Sequence, residues 1–176
     1  MQADTKSGAA SARPDARILV IADWTVDPHA VIAACSRHHE HDARLILTVP
    51  AWLHGLDWAG DPTARAPCAQ RQLDTIAQLS IAAGLDVEVA GVGDPDPISA
   101  ITDAMESHAP TEILLLTRMR RFEAPHPLDL VYRAHRNTGL PVQRMSLPAA
   151  VVPRRRRGST LLRGGGHCDT DERRAA

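Results

Sequence analysis

The chain has 176 residues, 44% of them apolar, enough for one α/β domain with a single core and loose ends. Its net charge of -1 provides no global field to draw nucleic acid or an anionic membrane, so neither is expected as a partner. No apolar run approaches the roughly 18 residues of a spanning helix, and the start, MQADTKSGAASARPDAR, lacks the apolar stretch of a signal peptide. Cys35, Cys68 and Cys168 are far apart and in no CxxC spacing, which indicates neither a disulfide framework nor a zinc site. A cytoplasmic protein with reduced thiols is the expectation.

Residues 1–16 are rich in Ala, Ser, Gly and Asp with little to bury, and are expected to be disordered. The first strand, RILVIAD, is a continuous apolar run ending at Asp23 and Trp24. Asp27 and Pro28 then supply the cap and first-turn proline of a helix whose Val31, Ile32 and Cys35 share one face. That helix ends in HHEH (His38 to His41), where partly cationic side chains suit a helix C-terminus, and no metal site is expected. ARLILTVP is the second strand, closing at Val49 and Pro50. It is followed by the loop PAWLHGLDWAGDPTAR, whose Trp52 and Trp58 can either cover a ligand pocket or clamp the loop to the core.

The next helix places Leu73, Ile76, Ala77 and Ser80 on one side and stops at Gly84. DVEVAGV is the third strand, after which Asp96 and Pro97 repeat the Asp-Pro helix start ahead of Ile98, Ile101 and Met105. TEILLLT is apolar on both faces, as a central parallel strand should be, and HPLDLVYRAHRNTG is a helix closed by Gly139. LPVQRMSLP is a more polar strand suited to an edge. Residues 149–176, with Arg154 to Arg157, are charged and glycine-rich and are expected to be disordered, leaving a domain at 17–148.

Five strands alternating with four helices predict an open, mostly parallel, Rossmann-like sheet with helices on both faces and ligands beyond the carboxyl ends of the strands. The candidate ligand residues there are Asp23, Trp24, Val49, Gly93, Thr117, Arg118 and Arg121. Asp23 has a second reading, as a strand-ending carboxylate that bonds the turn DWTVD. Arg118, Arg120 and Arg121 likewise read either as phosphate ligands or as a solvated cluster paired with Glu123, Asp129 or Asp94. No G-x-S-x-G elbow is present, and no catalytic residue is assigned.

The order of these elements, with Asp23 after the first strand, Val49 at the end of the second, and Gly93, Pro95 and Ile98 in a G-x-P-x-x-I element, resembles the universal stress protein family over about residues 17–148. The resemblance implies the strand order 3-2-1-4-5 and dimers paired through the last strand. It also implies a nucleotide site in which a glycine-rich stretch after the fourth strand cradles phosphates. Here that stretch reads TRMRRFEAPHPLDLVYR, without glycine, and the closing G-S pair of the family falls on Leu128 and Asp129. A carboxylate in the first turn stabilises a helix by about 0.5 to 1 kcal/mol and occupies the field a phosphate would use.

The function expected from the sequence is a non-catalytic module in stress response, homodimeric through its last strand, with a degenerate nucleotide site open to a small molecule or mononucleotide and with no resident cofactor. The alternatives are a nucleotide-dependent hydrolase or transferase on the same sheet, and an anion-binding adaptor acting through the Arg-rich tail.

Overall fold

The computed structural model describes residues 16–38, 43–53, 61, 63–119 and 129–150. Its elements run β1 (Arg17–Ala22), α1 (Pro28–His38), β2 (Arg44–Pro50), α2 (Ala66–Ala82), β3 (Val87–Gly93), α3 (Pro97–His108), β4 (Glu112–Arg118), α4 (Leu130–Thr138) and β5 (Val142–Leu147). Local chemistry sets the helix starts. Asp27 Oδ1 accepts the His29 N–H at 3.1 Å ahead of α1, and Pro97 opens α3 directly after Asp96, whose carboxylate takes the Ser99 hydroxyl at 3.3 Å. At the other end of α4, Gly139 adopts φ 70° and donates its N–H to the His135 carbonyl, a conformation that a β-carbon would penalise.

The strands form one parallel sheet in the order β3-β2-β1-β4-β5, as expected. Alternate residues of its central strands feed two cores. Ile18, Val20, Leu45, Leu47, Leu114 and Leu116 pack under Val31 and Ala34 of α1 and Leu73 and Ile76 of α2. Leu19, Ile21, Ile46, Ile113 and Leu115 pack under Ile98 and Ile101 of α3 and Ala134 of α4. The crossovers from β1 and β4 therefore leave the sheet toward opposite faces. At the amino edge Glu88 gathers Arg17 at 3.6 Å, Arg44 at 3.8 Å and His108 Nδ1 at 2.9 Å, tying the starts of β1, β2 and β3 to the end of α3.

Two details depart from the sequence reading. Ala149 and Ala150, assigned to the tail, still bond to the domain: Val26 and Ala149 form an antiparallel bridge, and the Ala150 N–H reaches the Thr25 carbonyl at 2.9 Å. The thiols also differ. Cys35 is free and buried in the α1 core, which pushes its pKa up to about 11 and leaves it unreactive at neutral pH. Cys68, in the first turn of α2, is disulfide-bonded, against the expectation of reduced thiols. Spacing along a chain does not report which cysteines the fold brings together. The third cysteine, Cys168, lies outside the described residues.

Gly93 ends β3 at a close approach of α3 to the sheet. A β-carbon there would stand 2.6 Å from Ala100 Cβ and 3.1 Å from Thr48 Cγ2. Overpacking of this kind costs about 1–3 kcal/mol, so Gly93→Ala should lower the urea midpoint accordingly. Ala100→Gly should recover part of the loss in the double variant, beyond its own helix cost of about 1 kcal/mol. Additive losses would show that this approach is not the constraint.

Candidate functional site

The carboxyl ends of β1 and β4 lie side by side, with Asp23 N–H donating to the Leu116 carbonyl at 2.9 Å. Because their crossovers diverge, this junction is the switch point at which parallel sheets form ligand crevices. Asp23 is 3% exposed, and its Oδ1 accepts both the Thr25 N–H at 2.9 Å and the Thr25 hydroxyl at 2.8 Å. The Asp23 carbonyl takes the Val26 N–H at 3.1 Å. Of the two sequence readings of Asp23, the turn-forming one is therefore realised.

Trp24 lies beside it, buried on the α1/α2 side. Its Nε1–H donates to the Trp52 carbonyl at 2.8 Å, and the Arg65 guanidinium stands 5.5 Å from its ring centroid, within cation–π range. Trp52 itself packs against the same core, so this half of the aromatic loop is a clamp. Trp58 lies outside the described residues. Val49 is fully buried among the α1/α2 core residues and pairs with Val92, while Gly93 serves the close approach of α3.

On the other side of the crevice, Thr117 is 8% exposed near the end of β4. Arg144 of β5 reaches it, with Nε donating to Thr117 Oγ1 at 3.2 Å, and its Nη1 continues to Asp129 Oδ1 at 3.2 Å and Oδ2 at 3.4 Å. Asp129 is the N-cap residue of α4 but caps no amide with its side chain. Among the described residues its ion-pair partner is Arg144; the sequence reading offered Asp129, with Glu123 and Asp94, as one possible partner of Arg118, Arg120 and Arg121. The reason is register: β5 runs beside β4 with Arg144 opposite Leu115, whose side chain lies in the α3/α4 core, and so on the face that α4 covers. Arg118 is half-buried and has partners of its own, and Arg120 and Arg121 lie outside the described residues.

Asp23, Trp24 and Thr117 thus lie at the adjoining carboxyl ends of β1 and β4, with Val49 and Gly93 at the ends of the neighbouring strands β2 and β3. Sequence reasoning missed Thr25, Arg65 and Arg144 as site-forming residues. Among the described residues no three His, Cys, Asp or Glu side chains gather as metal ligands, and no helix is long and apolar enough to cross a membrane.

If the Arg144–Asp129 pair holds this side of the crevice, each single variant should be destabilised, and a double-mutant cycle with Arg144→Gln and Asp129→Asn should give a coupling of about 1 kcal/mol. A coupling indistinguishable from zero would show that the contact is incidental.

No protein-family model matches the chain, and no curated protein matches it. Solved structures do. A protein from the universal stress protein family of Burkholderia pseudomallei superposes with a TM-score of 0.51 at 19% identity, covering 74% of this chain and 95% of that one. A universal stress protein in complex with cAMP gives a TM-score of 0.47 at 16% identity, covering 74% and 96%. The fold of this chain is that of a divergent universal stress protein.

Proposed function

We propose that this protein is a non-catalytic small-ligand module of the universal stress protein type, dimeric through β5, whose nucleotide site rejects ATP. The observation that carries this reading is the Thr117–Arg144–Asp129 chain at the start of α4. A helix N-terminus beside a parallel-sheet switch point is where a phosphate gains most from unpaired amides and the helix dipole. Asp129 puts a carboxylate in that field, and Arg144 neutralises it from the sheet. A triphosphate entering here must break the ion pair and then lie against Asp129. A mononucleotide or an uncharged adenine-like molecule seated nearer Asp23 avoids that repulsion. The stress-response role is an inference by analogy of fold.

Two features support the non-catalytic part. The Asp23 carboxylate is engaged by both polar groups of Thr25, and the hydroxyl of Thr117 receives the Arg144 Nε–H. Both groups are thereby committed to partners within the protein, an arrangement that favours a structural over a catalytic role. Calorimetry should find ATP binding weaker than micromolar, with AMP tighter than ATP. Asp129→Ser keeps a residue suited to the N-cap of α4 while removing the carboxylate and freeing Arg144, and should strengthen AMP binding about tenfold. Micromolar ATP binding by the unaltered protein, or turnover of ATP, would overturn this reading.

The edges of the sheet support dimerisation through β5. β3 carries a bulge, where the register with β2 shifts between Leu47 and Thr48 and Gly91 takes φ 117°, an irregularity that discourages strand addition. β5 is regular, and its one charge, Arg144, is drawn over the sheet face to Asp129. Since the carbonyls of Pro141 and Leu147 point to β4, alternation turns the main-chain groups of Val142, Arg144 and Ser146 outward. Ser146→Pro removes one outward N–H without touching the β4 ladder and should convert a dimer to a monomer in light scattering. A monomeric unaltered protein at micromolar concentration would refute the assembly.

A further inference from the structure

We infer that the segment following β5, Pro148 to Ala150, is a strap that closes the crevice between β1 and β4 and must leave before any ligand reaches Asp23. In the sheet β4 lies between β1 and β5, so a chain that leaves β5 and bonds to residues beyond β1 has to pass over the carboxyl end of β4. The main chain follows that path. The Leu147 carbonyl accepts the Met119 N–H at 2.8 Å as the strap leaves β5. The Pro148 carbonyl then accepts the Asp27 N–H at 2.9 Å, and the Ala150 N–H donates to the Thr25 carbonyl at 2.9 Å. Together these make Val26 and Ala149 an antiparallel pair lying between its two hydrogen bonds.

The strap thus crosses from the Thr117 side of the crevice to the Asp23 turn. The groups beneath are correspondingly sealed: Asp23, Thr25 and Thr117 are all below 9% exposed, and Val26 is fully buried. Yet the strap is held weakly. Among the described residues it belongs to no extended ladder, Pro148 is exposed, and Ala149 and Ala150 carry only methyl side chains to anchor it. Few buried apolar contacts and a short run of hydrogen bonds mark segments that open at low cost relative to the sheet they cover. An elongated element of this kind lowers the apparent affinity of any molecule for the crevice by the fraction of time the strap is detached. This goes beyond the nucleotide reading, because it holds for whatever molecule enters.

Two variants of the full chain move the strap in opposite directions. Ala150→Pro removes the N–H that bonds Thr25 and leaves the rest of the chain intact. Val26→Cys with Ala149→Cys places two thiols at a close-approach antiparallel pair, where a disulfide locks the strap when oxidised and releases it when reduced. Hydrogen exchange and AMP titration are read on both, with the unaltered protein under the same redox conditions as control. Ala150→Pro should speed exchange of the amides of Val26 and Asp27 at least fivefold while those of β1 keep their rates, and should tighten AMP binding about fivefold, the shift expected from one lost main-chain hydrogen bond. The oxidised double-cysteine protein should exchange more slowly at these amides than its reduced form and lose AMP binding, with recovery on reduction.

Equal acceleration of β1 and of Val26 and Asp27 would overturn the proposal, because the segment would then be part of the cooperative core. So would AMP binding by the oxidised form at the affinity of the reduced one. Selective opening by Ala150→Pro with no AMP binding in any form would leave the strap standing and refute the nucleotide reading.

Discussion

The structure depends first on the pairing of β1 with β4. Ile18 through Ala22 lie beside Glu112 through Leu116 in parallel register, and both strands are buried on both faces. Such strands are stable only when helices cover each side, which forces the crossovers onto opposite faces of the sheet. From this central pair β2 and β3 extend one way and β5 the other. The crevice at Asp23 and Thr117 follows from that divergence, and its position owes nothing to the residues that line it.

What lines it decides what it can hold. A helix N-terminus attracts negative charge whether a ligand or the chain supplies it. Here Asp129 supplies it, and Arg144 balances the carboxylate with two long hydrogen bonds while a third donor reaches Thr117. The aromatic side is filled in a parallel way, since the face of Trp24 meets Arg65 and its indole N–H is taken by Trp52. The polar and aromatic groups a nucleotide would use are thus partly engaged within the protein. A ligand gains from this crevice only the difference between its own contacts and those it displaces.

The elements were legible in the sequence because their signals are local. ILVIA and ILLL report burial on two faces, and the Asp-Pro pairs at 27–28 and 96–97 report helix starts through capping chemistry. Asp23 and Thr117 were legible as crevice residues because strand ends can be counted. Arg144 was not, because its role needs the β4–β5 register and the position of α4 together. Arg65 needed the start of α2 brought over the Trp24 ring, and the Cys68 disulfide needed a contact that chain spacing does not encode. Gly93 was found by its motif, yet its physical reason, the contact with Ala100, appears only when α3 is packed on the sheet.

Arg144 also links two properties that look independent. A charged side chain on an edge strand ordinarily guards that edge, since pairing with another strand would bury or crowd it. Arg144 is pulled away from that duty by Asp129, leaving its side chain 21% exposed and committed to the sheet face. The carboxylate that, in the proposed reading, keeps a phosphate from the start of α4 is therefore the same group that draws the one charge of β5 onto the sheet face. Loss of Asp129 would release the guanidinium to a phosphate or to the edge, and these two destinations compete. Under the proposed function, anion affinity beside α4 and strand addition at β5 would thereby be coupled through one side chain, with a sign set by where the freed guanidinium settles.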